Sequence, residues 1–134
     1  MVLVKKIFAK IFAFFVVSKI KKSYANAAQI QTNTLKSLIN KAKKTKFGIE
    51  HQFHKINSVE EYIVKVPIRD YEDIKKYIDE IKKGIKDILW PGKPKYLAKT
   101  SGTTSGVKHI PITNESMPNH ILSSRNALLF YVYE

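Results

Sequence analysis

The chain has 134 residues, enough for one modest domain and too few for a complete two-substrate active site with the core to support it. Its 44% hydrophobic and 26% charged residues exclude disorder and fibrous repeats, and the absence of cysteine excludes disulfides, thiolate catalysis and cysteine-ligated zinc while permitting an intracellular setting. Twenty-four Lys and Arg against 11 Asp and Glu leave a formal charge of +13, a field that attracts nucleic acid, anionic lipid or a polyphosphate.

Residues 2–17 are strongly apolar, uninterrupted over 11–17, and flanked by Lys5, Lys6, Lys10, Lys19, Lys21 and Lys22. A spanning helix needs about 20 apolar residues, so no stable membrane span is expected. A basic start, a short apolar run and the triplet Ala25-Asn26-Ala27 imitate a secretory signal, but Lys19, Lys21 and Lys22 put charge between the run and the supposed cleavage point. A helix lying on a membrane surface is the third alternative; the lysines fall all round the helical wheel and leave a weak moment. A helix packed on the body of a larger protein is the preferred expectation.

Over residues 26–44, Ala27, Ile30, Leu35, Leu38, Ile39 and Ala42 recur at helical spacing, predicting a second amphipathic helix. The loop at Phe47-Gly48 is expected to end it, with Gly48 in left-handed geometry. His51 and His54 have no third metal ligand nearby and are read as packing or solvent-facing groups. Ser58-Val59-Glu60-Glu61 has capping-box form and predicts a short helix over 59–64, broken by Pro67. Asp70 is placed to cap a helix over 71–83, with Ile74, Tyr77, Ile78 and Ile81 inward and Gly84 closing it. Residues 88–94 form a proline-bound turn in which Trp90 is a core anchor.

The basic residues Lys36, Lys41, Lys43, Lys44 and Lys46, and Lys75, Lys76, Lys82 and Lys83, are distributed along these helices and read as solvated faces. No aromatic interleaving or nucleic-acid-binding motif accompanies them, so no nucleic-acid partner is expected.

Residues 96–99 and 107–111 are predicted strands, and between them Thr100, Ser101, Gly102, Thr103, Thr104, Ser105 and Gly106 are all Gly, Ser or Thr. Glycines let a backbone approach phosphate closely, exposed N–H groups form an anion nest, and hydroxyls donate without crowding. Lys108 adds a full charge at the far edge. The order is neither that of a Walker A loop nor that of a dinucleotide fingerprint. A flexible linker is the alternative for such a run, but it needs neither bracketing strands nor Lys108. Thr113 or Asn114 is expected to cap a last helix that opens at Glu115 and runs through Ile121, Leu122, Leu128, Leu129 and Tyr131, with His120 and Arg125 as packing or surface groups.

The loop with Lys108 resembles the phosphate-loop signature of the adenylate-forming superfamily. Ser105 inserted before Gly106, Val107 in place of proline and the ending Lys108-His109-Ile110-Pro111 resemble the auxin-responsive promoter (Gretchen Hagen) family of acyl-acid amido synthetases, closest to its bacterial members. The likeness extends back through residues 96–99, 89–92, 66–71 and 47–51.

The resemblance implies an α/β fold, in which a helical region over 1–95 leads into the first strands of an adenylate-forming large domain over 96–134, both parts of one incomplete N-terminal domain. It implies ATP with Mg²⁺, a carboxylic acid activated as acyl-adenylate, and transfer to an amine such as an amino acid. Residues 100–106 would hold the phosphates and Lys108 would act in catalysis, with no metal-ligating side chain. The remainder of its own chain would be a partner, the compartment would be cytoplasmic, and the 134 residues alone would be inactive. An acyl-CoA synthetase is the alternative enzyme, and a basic module binding nucleic acid or a membrane surface is the alternative of another class.

Overall fold

The computed structural model describes residues 2–101 and 106–134, with no side-chain description at 2 and 3. The described chain is mostly helical, with one two-stranded antiparallel sheet. It forms two compact units, residues 1–30 with 115–134, and residues 31–114.

In the first unit, α1 (Val2–Ser23) packs with α6 (Met117–Tyr133). Ala13 and Val17 are fully buried on α1, Phe14 stacks on Tyr133 at 6.3 Å, and the Lys21 ammonium sits 4.5 Å from the Tyr133 ring centre. α6 begins two residues later than its sequence suggests. Residues 114–116 form a turn, Ser116 takes the N-cap position, and Pro118 stands in the first turn, where its missing N–H costs nothing. Among the described residues no helix is long and apolar enough to cross a membrane.

A 3₁₀ turn (Tyr24–Asn26) leads from α1 into α2 (Ala27–Ala42), which belongs to the second unit from Gln31 onward. Ile39 and Ala42 are buried there with Phe53 and Ile56, and Leu35 packs against them; Leu38 stays exposed. α3 (Lys46–Glu50) follows, and here Gly48 departs from the expected loop role. It lies inside the helix, where a Cβ would sit 2.1 Å from the Ala42 carbonyl oxygen. Close approach, and not a left-handed turn, is what requires glycine. The buried Thr45 hydroxyl fixes this corner, accepting from Gly48 N–H at 3.0 Å and donating to Ala42 O at 2.7 Å.

α4 (Val59–Lys65) is capped by Ser58, which accepts from Glu61 N–H at 3.2 Å, while Glu61 reaches back to Asn57 N–H at 2.7 Å. α5 (Tyr71–Lys82) carries a reciprocal capping box, Asp70 with Asp73, and is followed by Gly84 at φ +84°. Its inward face buries Tyr77, Ile78 and Ile81 with Ile88, and Ile74 packs against them as the periodicity predicts. Phe47 joins the two apolar clusters, stacking on His51 at 4.0 Å and meeting Tyr77 edge-on at 5.3 Å.

The turn after α5 is tied to α3. Asp87 and Ile88 carbonyls accept the N–H groups of Lys46 and Phe47 at 2.8 and 3.0 Å, satisfying donors at the start of α3. Asp87 at φ 58° and Gly92 at φ +78° close the turn, Gly92 N–H donating to Asp87 Oδ1 at 2.6 Å.

Candidate functional site

β1 (Tyr96–Lys99) and β2 (His109–Ile112) pair in the register Tyr96↔Ile112, Leu97↔Pro111, Ala98↔Ile110 and Lys99↔His109. Both strands alternate half-buried and exposed positions imperfectly, as expected for a two-stranded ribbon lying on a helix. Pro111, which has no N–H to give, is accommodated because among the described residues no further strand pairs with this short ribbon.

The pairing continues one step beyond the strands. Thr100 N–H donates to Lys108 O at 3.0 Å, and Lys108 N–H reaches the Thr100 hydroxyl oxygen at 3.3 Å. These two hydrogen bonds close the base of the segment between the strands, with Ser101 exposed on one side and Gly106 and Val107 exposed on the other. Gly106 adopts φ +78°, with nothing within 4 Å of the position a Cβ would take, so the left-handed backbone alone calls for glycine. Gly102, Thr103, Thr104 and Ser105 lie outside the described residues.

Of the expected site residues, the structure brings Thr100 and Lys108 together. The Thr100 oxygen serves the base of the bend, and its O–H remains a donor. Lys108 is half-buried, its ammonium 5.5 Å from the centre of the Tyr71 ring. The Tyr71 hydroxyl accepts from His109 N–H at 2.8 Å, so one side chain from the first turn of α5 supports both residues. Tyr71 opens the buried face of α5, half-buried against the cluster of Tyr77, Ile78, Ile81 and Ile88, and the periodicity of the helix marks it at most as a core residue, with no link to the bend. Its place within the block 66–71, one of those carrying the family likeness, is the signal that could have marked it.

A second constellation sits behind α3. Arg69 Nη2 lies 2.8 Å from His51 Nε2, and His51 Nδ1 lies 2.8 Å from Phe47 O. A guanidinium can only donate, so Nε2 accepts and the proton rests on Nδ1. His51 is therefore a buried, satisfied packing group, while His54 is exposed. Among the described residues no cluster of three His, Asp or Glu side chains could hold a metal. Tyr77 donates to Glu50, which holds the Glu50 carboxyl below its ordinary range, while burial first and this hydrogen bond second push the Tyr77 hydroxyl up. Lys46 pairs with Glu80, and that hydrogen bond raises its ammonium. None of the expected site residues lines the cavity of about 410 Å³ bounded by Lys36, Asn40, Lys43, Phe53, His54 and neighbours.

The sequence matches the GH3 family N-terminal domain over residues 16–133. It is 35% identical over 112 residues to the indole-3-acetic acid-amido synthetase GH3.15 of Arabidopsis thaliana, an alignment covering 79% of this chain and 18% of that protein. The chain thus spans less than a fifth of the length of this curated relative. No solved structure matches it. The family resemblance carried by the loop and its flanking blocks is borne out, and the chain belongs to the GH3 family in the region of its N-terminal domain.

Proposed function

We propose that the whole protein is an ATP-dependent acid–amine ligase of the adenylate-forming type. A carboxylate attacks the α-phosphorus of ATP, pyrophosphate leaves, and an amine, an amino acid in the simplest case, then attacks the acyl carbon with loss of AMP. The observation that carries this reading is the bend closed by Thr100 and Lys108 in a chain of the GH3 family, one of whose members is named for an amido synthetase activity.

The donors present fit a polyphosphate. Ser101 and Gly106 stand open to solvent, Thr100 keeps a hydroxyl proton, and Lys108 supplies a cation held by Tyr71. Gly102, Thr103, Thr104 and Ser105 would complete the cradle with backbone N–H groups and hydroxyls. Mg²⁺ would neutralise phosphate charge during the displacement. The first step needs no general base, because a carboxylate is already a nucleophile, so these residues position the phosphates and balance their charge.

On this reading, residues 96–134 begin the adenylate-forming large domain, the acid and amine pockets lie elsewhere in the whole protein, and the 134-residue chain alone does not turn over. The cytoplasm, with its ATP, is the implied compartment.

The test is acid-dependent ATP–pyrophosphate exchange by the whole protein, followed by trapping with amino acids or with CoA. Thr103→Ala combined with Thr104→Ala should lower exchange by about 10²-fold or more. Trapping by CoA alone would favour an acyl-CoA synthetase, and unchanged exchange in the double variant would remove the loop from the reaction.

A further inference from the structure

Helix α1 has two apolar faces. Ala13 and Val17 form one, buried at 0% exposure in the unit where α6 packs on α1. The other is open to solvent: Val4, Ile7, Phe8, Ile11, Phe12 and Phe15 are all exposed, Phe8 at 68% and Phe15 at 67%. At 3.6 residues per turn these six fall within an arc of roughly 140°, with Lys5 and Lys10 bordering it on opposite sides. An open groove of about 410 Å³, lined by Lys10, Ile11, Phe14, Phe15 and Tyr133, runs beside it.

Charge on this helix has one sign. α1 carries six lysines, all exposed, and no acid; the whole unit sets these and Arg125 against Glu115 and Glu134. Lys19 and Lys22 lie on the same side as the phenylalanines but at the other end, which is why the helix taken whole has almost no moment while its first four turns divide cleanly. The family match begins at residue 16, so the open face belongs to a segment outside the region shared with the family.

We infer that this face of α1 docks the protein on the surface of an anionic lipid bilayer. Phe8, Phe12 and Phe15 enter the boundary between headgroups and acyl chains, and the lysines reach sideways and back to headgroup phosphates along their flexible stems. The helix lies in the plane of the surface. A second copy is a poor occupant, because it would set two groups of six lysines against each other.

The test uses the whole protein with phosphatidylcholine vesicles, with and without phosphatidylglycerol. A single cysteine, Phe12→Cys, is specific in the 134 residues because they contain no other, and it carries an environment-sensitive dye. Binding to the anionic vesicles with a blue shift of the dye is expected. Phe8→Ser with Phe15→Ser should weaken binding at least tenfold, and Lys5→Gln with Lys10→Gln should erode the preference for anionic lipid. Circular dichroism monitors helix content; if the serine variant loses helix, the lysine variant decides. Equal binding to both vesicles, binding indifferent to both variants, or a dye already shielded from an aqueous quencher before lipid is added would overturn the inference. Shielding would mean that the protein's own chain or a second copy covers the face. None of these readouts depends on ATP chemistry.

Discussion

The hydroxyl of Tyr71 accepts the backbone N–H of His109 at 2.8 Å while its ring supports the Lys108 ammonium, coupling the first turn of α5 to the far edge of the glycine-rich bend. Tyr71→Phe keeps the ring and loses the acceptor. It should cost about 1 kcal/mol of stability, read from the urea midpoint. On the proposed function it should also raise the KM of the whole protein for ATP several-fold, with a smaller effect on kcat. Tyr71→Ala, which removes both contacts, should do more on each count.

Gly48 and Gly92 make an informative pair. Gly48→Ala drives a Cβ to within 2.1 Å of a backbone oxygen held in place by Thr45, and should destabilise by about 3 kcal/mol or more. Gly92→Ala meets open space and only the strain of φ +78°, about 1 kcal/mol. Thermal unfolding of the two variants side by side checks the order; equal losses would contradict the close approach.

Glu50 and Tyr77 predict how stability varies with pH. The Tyr77 hydroxyl, with Lys76 and Lys46 assisting, depresses the Glu50 carboxyl. Its contribution is therefore present above the unfolded value, about pH 4, and is lost as pH falls through the folded one. Tyr77 is raised, by burial and then by Glu50, so its contribution is complete below about pH 10 and is lost as pH rises through its folded value. Glu50→Gln should flatten the acid limb of a plot of urea midpoint against pH, and Tyr77→Phe should flatten both limbs.

Asp70→Ala removes the cap whose carboxylate accepts from Asp73 N–H at 3.0 Å, immediately before Tyr71. A loss of about 1 kcal/mol is expected, and Asp70→Asn should recover most of it. Hydrogen exchange should quicken in the first turn of α5 and at His109 together, because the cap orients the residue that holds His109.

Local signals in the sequence located α4, α5 and both strands, because caps, a proline and a 3.6-residue period act within a few residues. The core face of α5 was legible for the same reason. Gly48 was misread because its requirement comes from Ala42, six residues back across a corner, and not from its own dihedrals. The start of α6 was placed too early because Thr113, Asn114 and Ser116 all suit an N-cap, and only the turn over 114–116 decides between them. In the candidate site the composition of the bend was plain, and so was its bracketing by strands. Its support by Tyr71 was not, since that contact joins residues 38 apart in the chain.

Trp90 is the sole indole in the chain, packed against the cluster of Ile39, Ala42, Phe53 and Ile56 with its Nε1 enclosed and unpartnered, and with the Lys41 ammonium 5.6 Å from its ring centre. Intrinsic emission excited at the red edge of the near ultraviolet therefore reports on the packing around Ile39, Ala42, Phe53 and Ile56, inside residues 31–114. Phe14 and Tyr133, which mark the contact of α1 with α6, do not absorb there, so a single smooth fluorescence transition does not by itself follow that helical pair.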